Sequence, residues 1–430
     1  MAKINSKIGW PSATAIVVAN MVGTGVFTSL GFQVVGIENT WSLLLLWLIG
    51  GVVALAGAFS YAELGSYFKR SGGEYHYLSE IYHPLVGYLS GWISLTVGFA
   101  APIALAAMAM GAYISPYWSI DPKWMAVIVV LIVSLIHSIS IRQSSRFQNT
   151  TTLLKVILII LFIVCGLWIS PEETGLDFTW IGSDELGLPA FAVSLVYVTY
   201  SYTGWNAAAY IVEEIEDVET NLPKALIRGT ALVTLLYLLL QFIFLRHTPI
   251  DQLAGQMEIG HIVANQMLGE TGGKAISYAI AFFLISSISA MVWVGPRVGQ
   301  VMAEDYRLWR FLGVKNKNAV PVKAIWFQTG LSVLLILTGS FEQVLLYCGF
   351  ILQLSSALSV GGTILLRRKN KEKLPYQSPA YPFFALFFVG ISIWILVFLI
   401  YEKPFESLLG LSNLLLGGFS YWIGKKIWKK

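Results

Sequence analysis

Charge is what this chain has least of. Only 12% of its 430 residues are Asp, Glu, Lys or Arg, about half the share that a soluble domain carries. That scarcity excludes an ordinary soluble fold of this length. Cysteine is nearly missing as well. Cys165 and Cys348 are the two in the chain, and both fall in long apolar runs. A disulfide framework and a disulfide-linked partner subunit are therefore not expected. The five histidines show no zinc-type spacing, so no metal or cofactor is implied. No nucleophile–base spacing points to an enzyme.

Hydrophobic residues fill the space instead, at 56% of the chain. They gather in runs of about 20, the length that crosses the hydrocarbon core of a bilayer. Twelve runs can be counted, at about 9–36, 41–66, 84–113, 123–142, 148–169, 186–211, 225–245, 274–302, 322–339, 341–366, 382–401 and 404–424. The links between them are short, so residues 1–430 are expected to form one transmembrane domain. The first run is too long for a signal peptide, and no small-residue cleavage site follows it, so it is expected to stay as a helix.

Lysine and arginine set the orientation, because cytoplasmic loops carry the excess of both. With the N-terminus inside, 23 of the 28 fall in inner segments, and four (Lys123, Arg246, Lys274 and Lys403) fall in outer ones. The remaining one, Lys155, lies within a span. Both termini are thus expected in the cytoplasm. The net charge of +4 reflects this bias and implies no nucleic-acid partner.

Runs one to five and six to ten read as two copies, at about 9–169 and 186–366, followed by two extra helices at about 382–424. Five is odd, so the second copy enters from the opposite side and the repeat is inverted. Residues 71–81 suit a short helix at the inner surface. Residues 248–271 are too polar to cross and are expected to cap the outer side. The loop at 171–185, with Glu172, Glu173, Asp177, Asp184 and Glu185, reads as a solvated acidic loop.

Each copy opens with a run broken near its middle. The first break reads Val22-Gly23-Thr24-Gly25-Val26-Phe27, the second Tyr200-Ser201-Tyr202-Thr203-Gly204-Trp205-Asn206. A helix interrupted in the bilayer frees N–H and C=O groups that lipid cannot satisfy, so such a break is tolerated where it lines a cavity. At the first break, Gly23 and Gly25 release the backbone at low steric cost. The N–H groups of the following half-helix then offer the positive end of a dipole to a carboxylate. Thr24 adds a hydroxyl. Close packing of small residues is the competing reading. The second break exposes carbonyls near Tyr200 and Thr203, which suit an ammonium group. Tyr202 and Gly204 lie in the same turn. An α-amino acid zwitterion fits donors and acceptors placed side by side. Tyr200 also suits an aromatic cover over the substrate.

Lys155 is the one cation well inside a run, about eight residues or ~12 Å from its start. A charge there is by default functional, although a snorkelling lysine is the alternative. It could hold carbonyls freed from the first run, carry a coupling proton, or stand in for a sodium ion. The centres of runs 1, 3, 6, 8 and 10 contain no Asp or Glu. A neutral substrate side chain is favoured, since a basic one calls for a counter-charge. Glu63 is expected at the inner interface, and His137 as a packed, hydrogen-bonded histidine.

These residues resemble the amino acid–polyamine–organocation superfamily, and within it bacterial amino acid permeases and the light chains of heteromeric amino acid transporters. The likeness runs nearly end to end. It rests on Gly23-Thr24-Gly25-Val26-Phe27, Tyr61-Ala62-Glu63-Leu64-Gly65, Ser71-Gly72-Gly73-Glu74-Tyr75, Gly98-Phe99-Ala100-Ala101-Pro102-Ile103-Ala104 and Gly204-Trp205-Asn206. It continues through Glu213-Glu214, Asn221-Leu222-Pro223, Gly295-Pro296-Arg297 and Met302-Ala303-Glu304-Asp305.

The resemblance implies an all-α, LeuT-like fold of 12 transmembrane helices, with a 5+5 inverted repeat, discontinuous helices 1 and 6, and two extra C-terminal helices. It implies alternating access, with spans 1, 2, 6 and 7 rocking against spans 3, 4, 8 and 9. Carried over by position, the substrate carboxylate meets Thr24 and Gly25 with Gly23 beside them. The amino group meets the carbonyls of Met21, Tyr200 and Thr203. Lys155 matches a span-5 lysine that contacts spans 1 and 8, with Ser287 as its partner and Ser286 and Ser289 as close rivals. A span-8 tryptophan of several members is Met291 here, with Trp293 two residues on. Lys69 and Val218 replace two prolines common in the family. Asn206 stands where some acid-resistance antiporters carry glutamate. The heavy-chain cysteine of animal light chains is absent from 114–122, so no such partner is expected. The expected function is secondary active transport of neutral L-amino acids across a bacterial plasma membrane, as an exchanger or a proton-coupled symporter. A non-transporting sensor on the same fold is the alternative.

Overall fold

The computed structural model describes residues 7–139, 144–174, 176, 185–318, 320–370 and 374–428. Among these there is no β-strand, only a backbone bridge between Ile8 and Ile215. Lys3, Arg142, Lys371, Lys373, Lys429 and Lys430 of the charge count, and Asp177 and Asp184 of the acidic loop, lie outside the described residues.

The chain begins with a bent pair, α1 (Trp10–Met21) and α2 (Gly25–Gln33), whose axes differ by 41°. Next come α3 (Thr40–Phe68), α4 (Glu74–Ile81), α5 (Pro84–Ile93) and α6 (Ala100–Ile114). One π-helical turn, Ser94–Gly98, joins α5 to α6. Two helices follow, α7 (Pro122–Ile139) and α8 (Ser144–Trp168). The second half holds α9 (Pro189–Ser201), a 3-10 segment Ala207–Glu214, α10 (Val218–His247), α11 (Ile250–Leu253) and α12 (Ile259–Asp305). A 3-10 segment, Arg307–Gly313, then leads to α13 (Val322–Thr338), α14 (Phe341–Lys369), α15 (Phe383–Glu402) and α16 (Pro404–Trp428).

Local chemistry marks several helix starts. The Asn39 side chain accepts from the amides of Trp41 and Ser42 and opens α3. Ser340 and Gln343 form a reciprocal capping box on α14, satisfying two amides that a helix start leaves unpaired. Proline stands in the first turn of α1, α5 and α9, where its missing N–H costs nothing.

Among the described residues eight helical stretches are long and apolar enough to cross a bilayer, or nine if α1 and α2 make one broken span. The shorter apolar helices α9 and α13, together with α16, coincide with the other three expected runs. The protein is a multi-pass membrane protein. Apolar residues left bare on α7, α8, α15 and α16, such as Ile136 at 60% and Leu415 at 75% exposure, make the belt that lipid covers.

Two groups of helices emerge from the packing. α1, α3 and α10 pack together, as do α2, α3 and α9; α6, α7, α12 and α13 form the other group, around Ile103, Val130, Ile288 and Ile325. α8 touches α1, α10 and α12, and α14 touches α3, α6 and α9. Both therefore contact each group.

Within the expected outer cap of 248–271, residues 259–271 are helical and belong to α12, which kinks at Gly269, where φ is +71°. Glu63, expected at the inner interface, is fully buried in the protein and paired with Arg367, whose Nε and Nη2 reach its two carboxylate oxygens at 2.6 and 2.5 Å. The amide of Ser378 donates to the same carboxylate at 2.9 Å.

Candidate functional site

The two breaks meet. Gly204, at φ +105°, turns the chain after α9, and a Cβ there would lie 2.7 Å from the carbonyl of Asn20 at the end of α1. A Cβ on Gly25 would come within 2.6 Å of the Ser201 Cα. Between these approaches the Thr24 hydroxyl and the Tyr200 hydroxyl stand 3.5 Å apart. One turn along, Ser29 and Ser201 share a hydrogen bond of 2.9 Å. Glycine is needed at 204 for its positive φ and at both positions for the crossing.

Where the freed backbone groups go decides what the site can bind. Among the described residues the amides of Gly23 and Thr24 find no acceptor. Those of Gly25 and Val26 open α2, where a helix supplies none of its own. A cluster of unanswered N–H groups at a helix start suits an anion. The carbonyls are partly answered. Met21 O accepts from the Tyr237 hydroxyl at 2.6 Å, and Val26 O from Gln241 Nε2 at 3.0 Å. Phe27 O accepts from the Tyr113 hydroxyl at 2.9 Å, and Tyr200 O from the amide of Thr203 at 2.9 Å. A carbonyl has two lone pairs, so Met21 keeps one for a second donor, whereas Tyr200 O accepts from the amides of both Tyr202 and Thr203.

Gly23 stands apart from Gly25. A Cβ on Gly23 would meet just the Met21 carbonyl oxygen, at 3.9 Å. Gly23 therefore borders open space, whereas Gly25 is a packing glycine against α9.

Lys155 is 3% exposed. Its Nζ donates to Ser287 Oγ at 2.7 Å and to Val22 O at 3.4 Å. A cation on α8 thus bridges the first break and α12. The serines on α12 divide their partners: Ser286 bonds Thr151 at 2.6 Å, Ser287 bonds Lys155, and Ser289 bonds His137 at 2.8 Å. Of the three rivals, Ser287 is the one that Lys155 reaches, and His137 is buried and hydrogen-bonded.

Two candidates point elsewhere. The Tyr202 hydroxyl donates to Trp47 O at 3.0 Å, and its ring packs against Trp47 and Tyr237. Its side chain fastens α9 to α3 and α10. Met291 packs with the α6, α7 and α13 cluster, and its carbonyl accepts from Gln328 Nε2 at 3.1 Å. Trp293 lies under the Arg297 guanidinium, 3.8 Å from its ring centroid. Thr203 remains in the turn itself, its hydroxyl bonded to Thr199 O at 3.4 Å.

Sequence reasoning missed Tyr237, Gln241 and Tyr113, which hold the carbonyls around the first break. Each is a polar residue in an apolar helix, and that is the one signal that could have drawn attention to them.

Residues 8–414 match the family described as amino acid permease. The chain is 26% identical to the mouse large neutral amino acids transporter small subunit 2, over 98% of this chain and 81% of that protein. It is 27% identical to the serine/threonine exchanger SteT of Bacillus subtilis, over 91% of each. It is 26% identical to the human b(0,+)-type amino acid transporter 1, over 93% of this chain and 84% of that protein. The chain belongs to the amino acid permease family of the amino acid–polyamine–organocation carriers.

Proposed function

We propose that this protein is a secondary transporter of neutral L-amino acids, working by alternating access at the junction of the two breaks. The observation that carries the reading is that junction: unanswered amides at Gly23, Thr24 and the start of α2 lie across from the Tyr200–Gly204 turn. A carboxylate on the amides and an ammonium at the carbonyls of Met21, Tyr200 and Thr203 answer both sets of groups with one substrate. The relatives named above, all transporters or exchangers of amino acids by name, support the class.

Lys155 is the coupling residue in this reading, with Ser287 as its anchor. Its ammonium already bridges α8, the first break and α12, so a change in its charge or reach alters how the two groups of helices meet. Tyr200 covers the substrate, and Tyr202, Gly204 and Met291 shape the walls rather than grip the head group. Twelve spans in an inverted repeat of about 9–169 and 186–366, with helices 382–424 added, accommodate the helices observed. The basic bias of the loops supports cytoplasmic termini and a bacterial inner-membrane location.

Uptake in proteoliposomes tests the proposal. Labelled neutral L-amino acids should enter vesicles that hold the purified chain. Flux that depends on an amino acid inside marks exchange, and acceleration by a proton gradient marks symport. Substrate binding with no flux under either condition would replace the transporter with a sensor.

A further inference from the structure

Glu74 is a buried carboxylate that the substrate site does not use. It opens α4 and is 6% exposed. Four donors converge on it from three directions. Tyr61 on α3 donates to Oε1. Asn206, at the exit of the second break, donates to Oε1 at 3.4 Å. On α14, Ser356 donates to Oε1 at 3.3 Å and Ser355 to Oε2 at 2.6 Å.

Among the described residues no cation pairs with this carboxylate. The titratable groups beside Glu74 are the hydroxyls of Tyr61 on α3, Tyr77 on α4 and Tyr210 in the segment after the break. α5, packed on α4, carries no charged residue. The ion pairs among the described residues are Lys69–Glu219, Arg367–Glu63 and Lys403–Glu342. Eleven positions back, Glu63 is just as buried and does have its arginine. A carboxylate taken out of water with no opposite charge beside it gains by taking up a proton. Burial raises the Glu74 carboxyl above the usual carboxylate range, and the hydrogen bonds from Ser355, Tyr61 and Ser356 only partly offset it.

We propose that Glu74 is a proton-binding site that controls the hold on the second break. The ionised carboxylate accepts from all four donors and clamps Asn206 to α3 and α14 with charge-assisted bonds. When one oxygen takes a proton from water on the cytoplasmic side, that oxygen becomes a donor. The Ser355 hydroxyl then turns to accept, and Asn206 keeps a weaker bond to a neutral group. Loss of the proton to water restores the clamp. The inference rests on the transporter reading for its consequence, though the titration itself does not.

Two measurements on the full chain test it. The first is infrared difference spectroscopy between pH 8 and pH 5, which should show a protonated carboxyl band in the wild type that Glu74→Gln lacks. No difference between the two would overturn the proposal, whether or not the protein transports. The second is uptake in proteoliposomes across the same range. Wild-type flux should change by about fivefold or more, and Glu74→Gln, which holds a neutral side chain at every pH, should vary by less than about twofold. A Glu74→Gln profile that follows the wild type contradicts the inference. Tyr61→Phe serves where Glu74→Gln folds poorly. Removing one stabilising donor should move the midpoint to higher pH by ~0.5–1 unit, and an unmoved midpoint counts against Glu74. Absence of any wild-type flux, with the band present, would fault the transporter reading and leave the proton site standing.

Discussion

Gly25 lies so close to Ser201 that a single added methyl group would fall within 2.6 Å of the serine Cα. The glycine that the sequence marks as a carboxylate seat is also where α2 crosses α9. Gly23, two residues earlier, has nothing nearer than the Met21 oxygen at 3.9 Å. The two glycines should therefore separate packing from binding. Gly25→Ala should destabilise the protein by about 1–3 kcal/mol through overpacking. Gly23→Ala should leave thermal stability near wild type and still weaken the stabilisation that added substrate gives. Equal losses of stability in both variants would contradict this division.

Lys155→Ala should impair transport far more than folding. The variant removes a donor that holds Val22 O and Ser287 Oγ, and Ser287 keeps a second partner in Phe283 O at 3.2 Å. Uptake should fall by at least about tenfold, equivalent to ~1.4 kcal/mol. Ser287→Ala, which leaves the cation in place, should cost less. Wild-type rates in Lys155→Ala would remove the coupling role.

Tyr237→Phe leaves the Met21 carbonyl without its donor. A buried acceptor left unpaired costs about 1–3 kcal/mol, and thermal unfolding should register it. Substrate should recover part of that loss, because an ammonium group can occupy the vacated lone pair. A substrate-induced shift no larger than that of the wild type would place the ammonium elsewhere.

The Glu63–Arg367 pair should behave as a structural unit. Glu63 is fully buried and the Arg367 side chain 18% exposed. Breaking such a pair from one side costs about 3–5 kcal/mol, because the remaining charge is stranded. Glu63→Gln and Arg367→Met should each lower thermal stability strongly, and the double variant should lose less than the two single losses added together. Strict additivity would mean that the two side chains act independently.

Local signals made much of this architecture legible. Glycines announced both breaks, Gly23 and Gly25 in the first and Gly204 in the second, because a backbone leaving helical geometry needs residues that tolerate it. Lys155 stood out because a cation in an apolar run is costly. What stayed hidden depends on distance in three dimensions. Glu63 and Arg367 are 304 positions apart, so their pairing has no signature near either one. Tyr237 and Met21 are 216 positions apart, and a tyrosine in a helix gives no hint of which carbonyl it will hold. The same limit hid which element Gly25 packs against, because that depends on where α9 crosses.

Competition with altered head groups tests the central claim most directly. Proteoliposomes holding the wild-type chain take up a labelled neutral L-amino acid in the presence of three unlabelled competitors: the same amino acid, its carboxamide, and its decarboxylated amine. If the amides of the first break seat the carboxylate and the turn of the second seats the ammonium, only the intact amino acid should compete, and both analogues should be weaker by at least about tenfold. Equal inhibition by the amine or the amide would contradict the account.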